Sequence, residues 1–273
     1  MNLIRRRNEY MEMKFEQTKG YVFLVGTIAG IDNKEPRRTE YKNELNIRVR
    51  TDKDNSVFAK VGGWNNSSLS VKFKPQGMEQ ADEIPVGEAP DVLQDYFKDG
   101  DSVLVRGSID VNTYKEGRLD IIVNGIYACS EEINFDSETF EERNEVKIPG
   151  IVAGEFDGER IPVMFANYKG ETITQSLKVE NEIIKEFLAG VNVGDLIPFT
   201  LSVVNRPIYE VVAEESKETT ARKTLLGKTI GGSNKTKRKI VDNEKAIIIQ
   251  DIDVEKIVER KYEIKNDIPD MPF

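Results

Sequence analysis

Histidine is missing from this 273-residue chain, which also has a single cysteine, Cys129, and a single tryptophan, Trp64. Without histidine there is no Ser-His-Asp or Cys-His pair and no Cys/His zinc cage, and a lone cysteine closes no intramolecular disulfide. Most hydrolase chemistry therefore lacks its usual base. No run approaches the ~18 consecutive apolar residues that cross a bilayer, and Arg5, Arg6 and Arg7 are not followed by the apolar core of a signal peptide. A cytoplasmic protein with no membrane partner is expected. Positive charge is in deficit, 39 Lys+Arg against 48 Asp+Glu for a net charge of −9, so attraction to a polyanion must be local rather than a property of the whole molecule. Gly227-Lys-Thr229 hints at a phosphate loop, but Arg222 stands where the cradle needs a glycine, and no strand precedes it. Asp251 and Asp253 share one strand face, which is ordinary surface charge. The expectation is a non-enzyme with no cofactor and no metal.

At roughly 150 residues per domain the length accommodates about two domains. Tyr21 to Ile31 is β-branched and aromatic and reads as a strand, and Leu45 to Arg50 alternates apolar and polar residues as a half-buried strand does. Ser56 to Trp64 is the next strand, and its adjacent Gly62 and Gly63 signal a bulge or a close backbone approach. Residues 79–101 are acidic and turn-rich and end in a short helical pattern, Pro90 to Phe97. Strands then follow over Gly100 to Ile109 and Arg118 to Asn124, with Cys129 ending the last as a small core residue. Beyond an acidic stretch, Ser130 to Glu145, the same order recurs: strands at 146–152, 160–165 and 171–179, a helix at Asn181 to Leu188, then strands at 194–203 and 246–252.

The two halves echo each other locally. Tyr96-Phe97 and Phe187-Leu188 each close a helix and are each followed by a Gly-Asp pair, Gly100-Asp101 and Gly194-Asp195, that opens a strand. Five strands with a helix between the third and fourth is the layout of the OB-fold. The fold expected is mainly β, two tandem OB-fold (Greek-key) barrels, each with a short helix before its fourth strand. The corresponding division is a flexible lead segment at 1–18, a first barrel at 19–130, an acidic linker at 131–145, a second barrel at 146–258 with a basic loop at 206–244, and a tail at 259–273.

Strand alternation selects the candidate site. With Leu45, Ile47 and Val49 on the core face, Arg48 and Arg50 point outward; with Val57, Ala59 and Val61 inside, Phe58, Lys60 and Trp64 lie outside. Exposed aromatic rings beside cations suit single-stranded nucleic acid, whose bases stack on the rings while Lys and Arg neutralise its phosphates. In an OB-fold the second and third strands and the loops after strands one and four carry oligonucleotides. Those loops hold Lys34, Arg37, Arg38, Tyr41 and Lys42, and Tyr114, Lys115 and Arg118. The bland alternative is a protein interface or a second small core under the acidic insert. The second half is poorer in aromatics and cations on its solvent face and reads as mainly structural. Its basic loop, with Arg222, Lys223, Lys228, Lys235, Lys237, Arg238 and Lys239, reads as mobile and as an accessory contact to a nucleic-acid backbone, or as a merely solvated loop.

The chain closes on Asn266-Asp-Ile-Pro-Asp-Met-Pro-Phe273. This ending resembles the acidic tip of bacterial and phage single-stranded-DNA-binding proteins, with Asp267, Ile268, Pro269, Asp270, Pro272 and Phe273 matching in kind around Met271. The resemblance implies a sequence-nonspecific protein that protects single-stranded DNA in replication or recombination. It also implies that the tip recruits a helicase, primase, polymerase or recombinase, the Phe273 ring entering a pocket and its carboxylate meeting basic residues. The chain departs from the bacterial pattern in having two barrels, fewer tip acids and no Gly/Gln-rich linker, which points to a phage- or mobile-element-type member. The alternative function is an OB-barrel interaction or virion component that ignores nucleic acid; RNA in place of DNA is the third reading.

Overall fold

Period-two alternation dominates the chain, and the structure that results is mainly β. The computed structural model describes residues 15–114, 117–212, 222–223, 229–230, 237–262 and 264, with the side chains of 209–241 outside that description. In the first half the strands are β1 (Tyr21–Ala29), β2 (Arg37–Arg38), β3 (Lys42–Arg50), β4 (Ser56–Trp64), β5 (Ser70–Lys74) and β6 (Asp82–Pro85); helix α1 (Ala89–Tyr96) precedes β7 (Ser102–Asn112) and β8 (Arg118–Ala128). The second half has β9 (Arg143–Val152), β10 (Arg160–Ala166) and β11 (Thr172–Val179); helix α2 (Glu182–Leu188) precedes β12 (Leu196–Val212), β13 (Arg222–Lys223), β14 (Thr229–Ile230) and β15 (Lys237–Ile252).

Hydrogen-bond pairing closes each half into a ring. In the first, β1 pairs β3, β3 pairs β4, β4 meets β8 in parallel at Lys60 and Ile122, β8 pairs β7, and β7 returns to β1. In the second, the order β9, β10, β11, β15, β12 and back to β9 repeats that circuit, again with one parallel step, between β11 and β15. The rings are fused: β1 and β9 pair antiparallel from Tyr21 opposite Lys147 to Val25 opposite Arg143. One edge of β1 thus serves β9 over residues 21–25 and β3 over residues 27–29. The change of partner falls at Gly26, where a Cβ would stand 2.1 Å from the Arg50 carbonyl oxygen. Gly150 of β9 is equally confined, 2.3 Å from Val163.

Alternating residues fill the rings, among them Leu24, Ile28, Leu45, Ile47, Val57 and Val61 in the first and Ile148, Ile161, Val163, Phe165, Leu177 and Phe199 in the second. They form one continuous core across the junction. The helices lie outside the rings: α1 starts with a proline in its first turn and buries Ala89, Pro90 and Leu93, while Asn181 caps α2 by accepting hydrogen bonds from the amides of Ile183 and Ile184.

Five readings of the sequence change here. The segment 70–85, left without strands, is a hairpin whose Val71 and Phe73 are buried and whose β5 adds to β8. The acidic linker is not wholly free, since its last residues already belong to β9 and Glu142 is a structural ligand. Both ends of the basic loop at 206–244 are strand, because β12 and β15 remain paired from Val204 opposite Ala246 out to Val212 opposite Lys237. Finally, packing overruns both terminal boundaries: Thr18 is buried and exchanges hydrogen bonds with Ala166, and Phe15 stacks on a buried Tyr262 at 5.1 Å. Cys129 falls just past β8 and is half-buried rather than core, and that burial pushes its thiol pKa up.

A polar clasp reinforces the junction. The Asn55 side chain is inaccessible to solvent; its amide donates to Glu142 Oε1 at 2.7 Å and to the Val203 carbonyl at 3.0 Å, and its oxygen accepts from the Asn205 amide at 2.8 Å. Glu142 also accepts from Thr51 at 2.6 Å and pairs with Arg206 at 3.2 Å. Buried donors and acceptors left without partners cost about 1–3 kcal/mol each. Asn55→Ala is therefore expected to lower the unfolding free energy by about 2–3 kcal/mol in urea denaturation; a loss under about 0.5 kcal/mol would show that this clasp does not hold the rings.

Candidate functional site

On β3 and β4 the residues that face away from the core form five cross-strand pairs: Arg50 opposite Ser56, Arg48 opposite Phe58, Asn46 opposite Lys60, Glu44 opposite Gly62, and Lys42 opposite Trp64. The register runs without a shift through Gly62 and Gly63, so the glycine pair marks a close approach and not a bulge. At Gly62, φ is +105° and a Cβ would stand 2.2 Å from the Asn43 carbonyl oxygen and 2.5 Å from Pro90, which only glycine accommodates. Because the register holds, Trp64 keeps its outward parity.

Phe58 is 59% exposed and Trp64 60% exposed. Six residues of strand separate them, about 20 Å at a rise of ~3.3 Å per residue. The Lys42 ammonium sits 4.7 Å from the Trp64 ring centre, a cation–π contact that holds the indole against the sheet. Tyr41 and Tyr114 are also exposed, at 60% and 81%.

The cations named from the sequence divide into two groups. Arg37 and Arg48 carry no ion pair among the described residues and are exposed. Arg50 lies over the Phe135 ring at 4.9 Å and donates to the Asp52 carbonyl. The others are engaged. Arg38 bonds Asp91 on α1 at 2.8 Å; burial acts to raise the Asp91 pKa, but hydrogen bonds from Asn43 and Arg38 outweigh it, and the carboxyl titrates below its ordinary range. Lys60 is half-buried between Asp120 at 3.5 Å and Glu44 at 3.9 Å, and Glu44 also takes Lys42 at 3.2 Å. Arg118 meets Asp120 at 2.7 Å.

Asp120 and Glu44 are the residues sequence reasoning missed. Both lie on the outward parity of their strands, so alternation could have found them; what alternation does not give is which cation each would meet. Asp120 is a hub, binding Arg118, Lys60 and the Asn112 amide at 3.0 Å. The middle of the β3–β4 face is consequently close to neutral, with its free positive charge at the Arg48 and Arg37 ends. Among the described residues no group of three or more Asp, Glu or Cys side chains is arranged to hold a metal ion, and no helix is long and apolar enough to cross a membrane.

Several named residues fall elsewhere. Lys115, Lys228 and Lys235 lie outside the described residues, as does the whole tip from Asp267 to Phe273. Arg222 and Lys223 form β13, and Lys237, Arg238 and Lys239 belong to β15 opposite Val212, Val211 and Glu210; their side chains are outside the description. The loop between β7 and β8, which carries Tyr114, reaches the second ring: Thr113 bonds Glu171 at 3.0 Å, and Gln175 donates to the Gly117 carbonyl. Hydrogen bonds from Asn167 and Thr113 hold the Glu171 carboxyl below its ordinary range.

No curated protein matches the chain significantly. Among solved structures, a deletion mutant of the single-stranded DNA binding protein from Thermus aquaticus is similar over 73% of this chain and 99% of that one, at 14% identity and a TM-score of 0.42, a likeness too loose to carry an argument. The sequence comparison is broader in reach, for the model of the protein family described as YorF matches residues 19–267, and the chain belongs to that family.

Proposed function

We propose that this protein binds single-stranded DNA without sequence preference, and that each five-stranded ring is an OB-type barrel, the first (19–130) being the main binding unit and the second (146–258) its fused partner. The observation that carries the reading is the β3–β4 face, where Phe58 and Trp64 stand exposed about 20 Å apart, with Arg48 beside one ring and Lys42 beneath the other. Aromatic platforms accept any base, and stacking contributes about 1–3 kcal/mol per base. Arg37, Tyr41 and Arg50 border the same face and extend it along the strand, and the exposed Tyr114 offers a further aromatic group on the loop that reaches the second ring. Lys60 and Arg118, already paired with carboxylates, act by orienting the surface and exchange a partner for phosphate only where the strand displaces it. Net acidity supports a defined track, because anionic surfaces elsewhere repel the strand from wrong faces. The protein acts without catalysis, cofactor or metal, in the cytoplasm, and protects single strands during replication or recombination.

Trp64 is the only indole, so its fluorescence reports on the face directly. Titration with oligo-dT at two salt concentrations is expected to give saturable quenching that weakens as salt rises. Phe58→Ala is expected to weaken binding by about 1–3 kcal/mol, with Trp64→Ala, followed by gel shift, doing the same. An unresponsive Trp64 and no gel shift would transfer the assignment to a protein-interaction scaffold.

In the same reading the tip from Asp267 to Phe273 recruits partner enzymes of replication or recombination, on the strength of its acidic, proline-punctuated sequence ending in an aromatic residue. Deleting residues 270–273 is expected to leave oligo-dT affinity and thermal stability intact while abolishing capture of a helicase, primase, polymerase or recombinase. Loss of folding in the truncated chain would mean instead that the tip is structural.

A further inference from the structure

Between the two rings lies a cleft of about 750 Å³ floored by β4, β8, β11, β12 and β15. Its ionisable lining is five cations, Lys34, Lys60, Arg118, Arg160 and Lys245, against one carboxylate, Asp120. In a chain of net charge −9 that is a local reversal of sign. The single acid is already committed to Arg118 and Lys60. Arg160 and Lys245, which come from the second ring, are exposed and carry no ion pair among the described residues, and Lys34 is tied only to the Asn46 carbonyl, at 2.5 Å. Phe58 lines the same cleft, so the cleft continues the β3–β4 face across the junction.

Resting on the single-strand reading above, we propose that the cleft is the second half of the DNA path: the strand passes from Arg48 and Phe58 into the space between the rings, where Arg160 and Lys245 take its phosphates. The chemistry favours this occupant. Free guanidinium and ammonium groups on a concave surface attract a polyanion, and the polar Gln175, Ser176 and Asn205 that share the lining offer hydrogen bonds to sugar or base edges. The second ring is then a binding element, and the fusion of β1 to β9 is what sets the two halves of the path in register.

The test separates this step from its parent. Wild type, the double variant Arg160→Ala with Lys245→Ala, and a control with equal charge change outside the cleft, Lys74→Ala with Lys98→Ala, are titrated with oligo-dT of about six and about twenty nucleotides, lengths chosen to cover one barrel or more. The cleft variant is expected to bind the long oligonucleotide on the order of tenfold more weakly, with a salt slope lower by about 1.4, from two lost phosphate contacts at ~0.7 each. Its affinity for the short one and its melting temperature should match wild type, and the control should match wild type throughout. If wild type binds but the cleft variant keeps its long-oligonucleotide affinity and slope, or loses no more than the control, the cleft is not part of the path and the first-ring reading stands. If wild type binds neither length, both readings fall together.

Discussion

Everything in this molecule depends on the antiparallel pairing of β1 with β9. A strand in a closed ring normally spends both edges on its own ring; here one edge of each of these strands is shared between its own ring and the neighbour. Each needs a glycine where partners change, because the adjoining backbone or side chain comes within the space of a Cβ. The junction then becomes part of the hydrophobic core and brings Asn55, Glu142 and Val203 close enough to bond. Two rings that a linker alone would leave apart are joined by a shared sheet and a shared core, and the cleft lies between them.

Within that frame, electrostatics more than aromatic exposure determines what the surface offers. Sheet geometry sends Arg and Lys outward wherever parity allows, but it sends Glu44 and Asp120 outward by the same rule, and opposite charges within reach of each other pair. The pairs are partly buried, and Lys60 is shared between two carboxylates. Their effect is on charge: they neutralise the centre of the β3–β4 face and leave its free positive charge at the ends and in the cleft. A polyanion therefore meets graded attraction along the surface, weakest over Lys60 and strongest where Arg48, Arg160 and Lys245 stand unpaired.

Local order was readable because alternation and turn chemistry are local. The buried Leu45, Ile47, Val49 and Val57, Ala59, Val61, the exposed Phe58 and Trp64, and both helices to within one residue followed from side-chain period alone. The β5–β6 hairpin was missed although Val71 and Phe73 alternate, since the acidic residues after them outweighed a short signal. The strand residues at 206–212 and 237–244 fall in the segment that reads as a basic loop, because their sequence shows no sustained period-two pattern. Asn55 and Glu142 looked like turn and linker polarity; only packing showed a buried clasp.

By itself the sequence determined which face of each strand is wet, where the helices fall and which residues lie outward, because these depend on backbone geometry shared by all chains. Tertiary structure decided what those residues meet. That Asp120 would reach Lys60 as well as its near neighbour Arg118, that Arg160 and Lys245 would come to line one cleft with Phe58, and that the rings would share strand edges all depend on residues far apart in the chain. Such contacts follow from how the two rings pack on each other, and no local period encodes that packing.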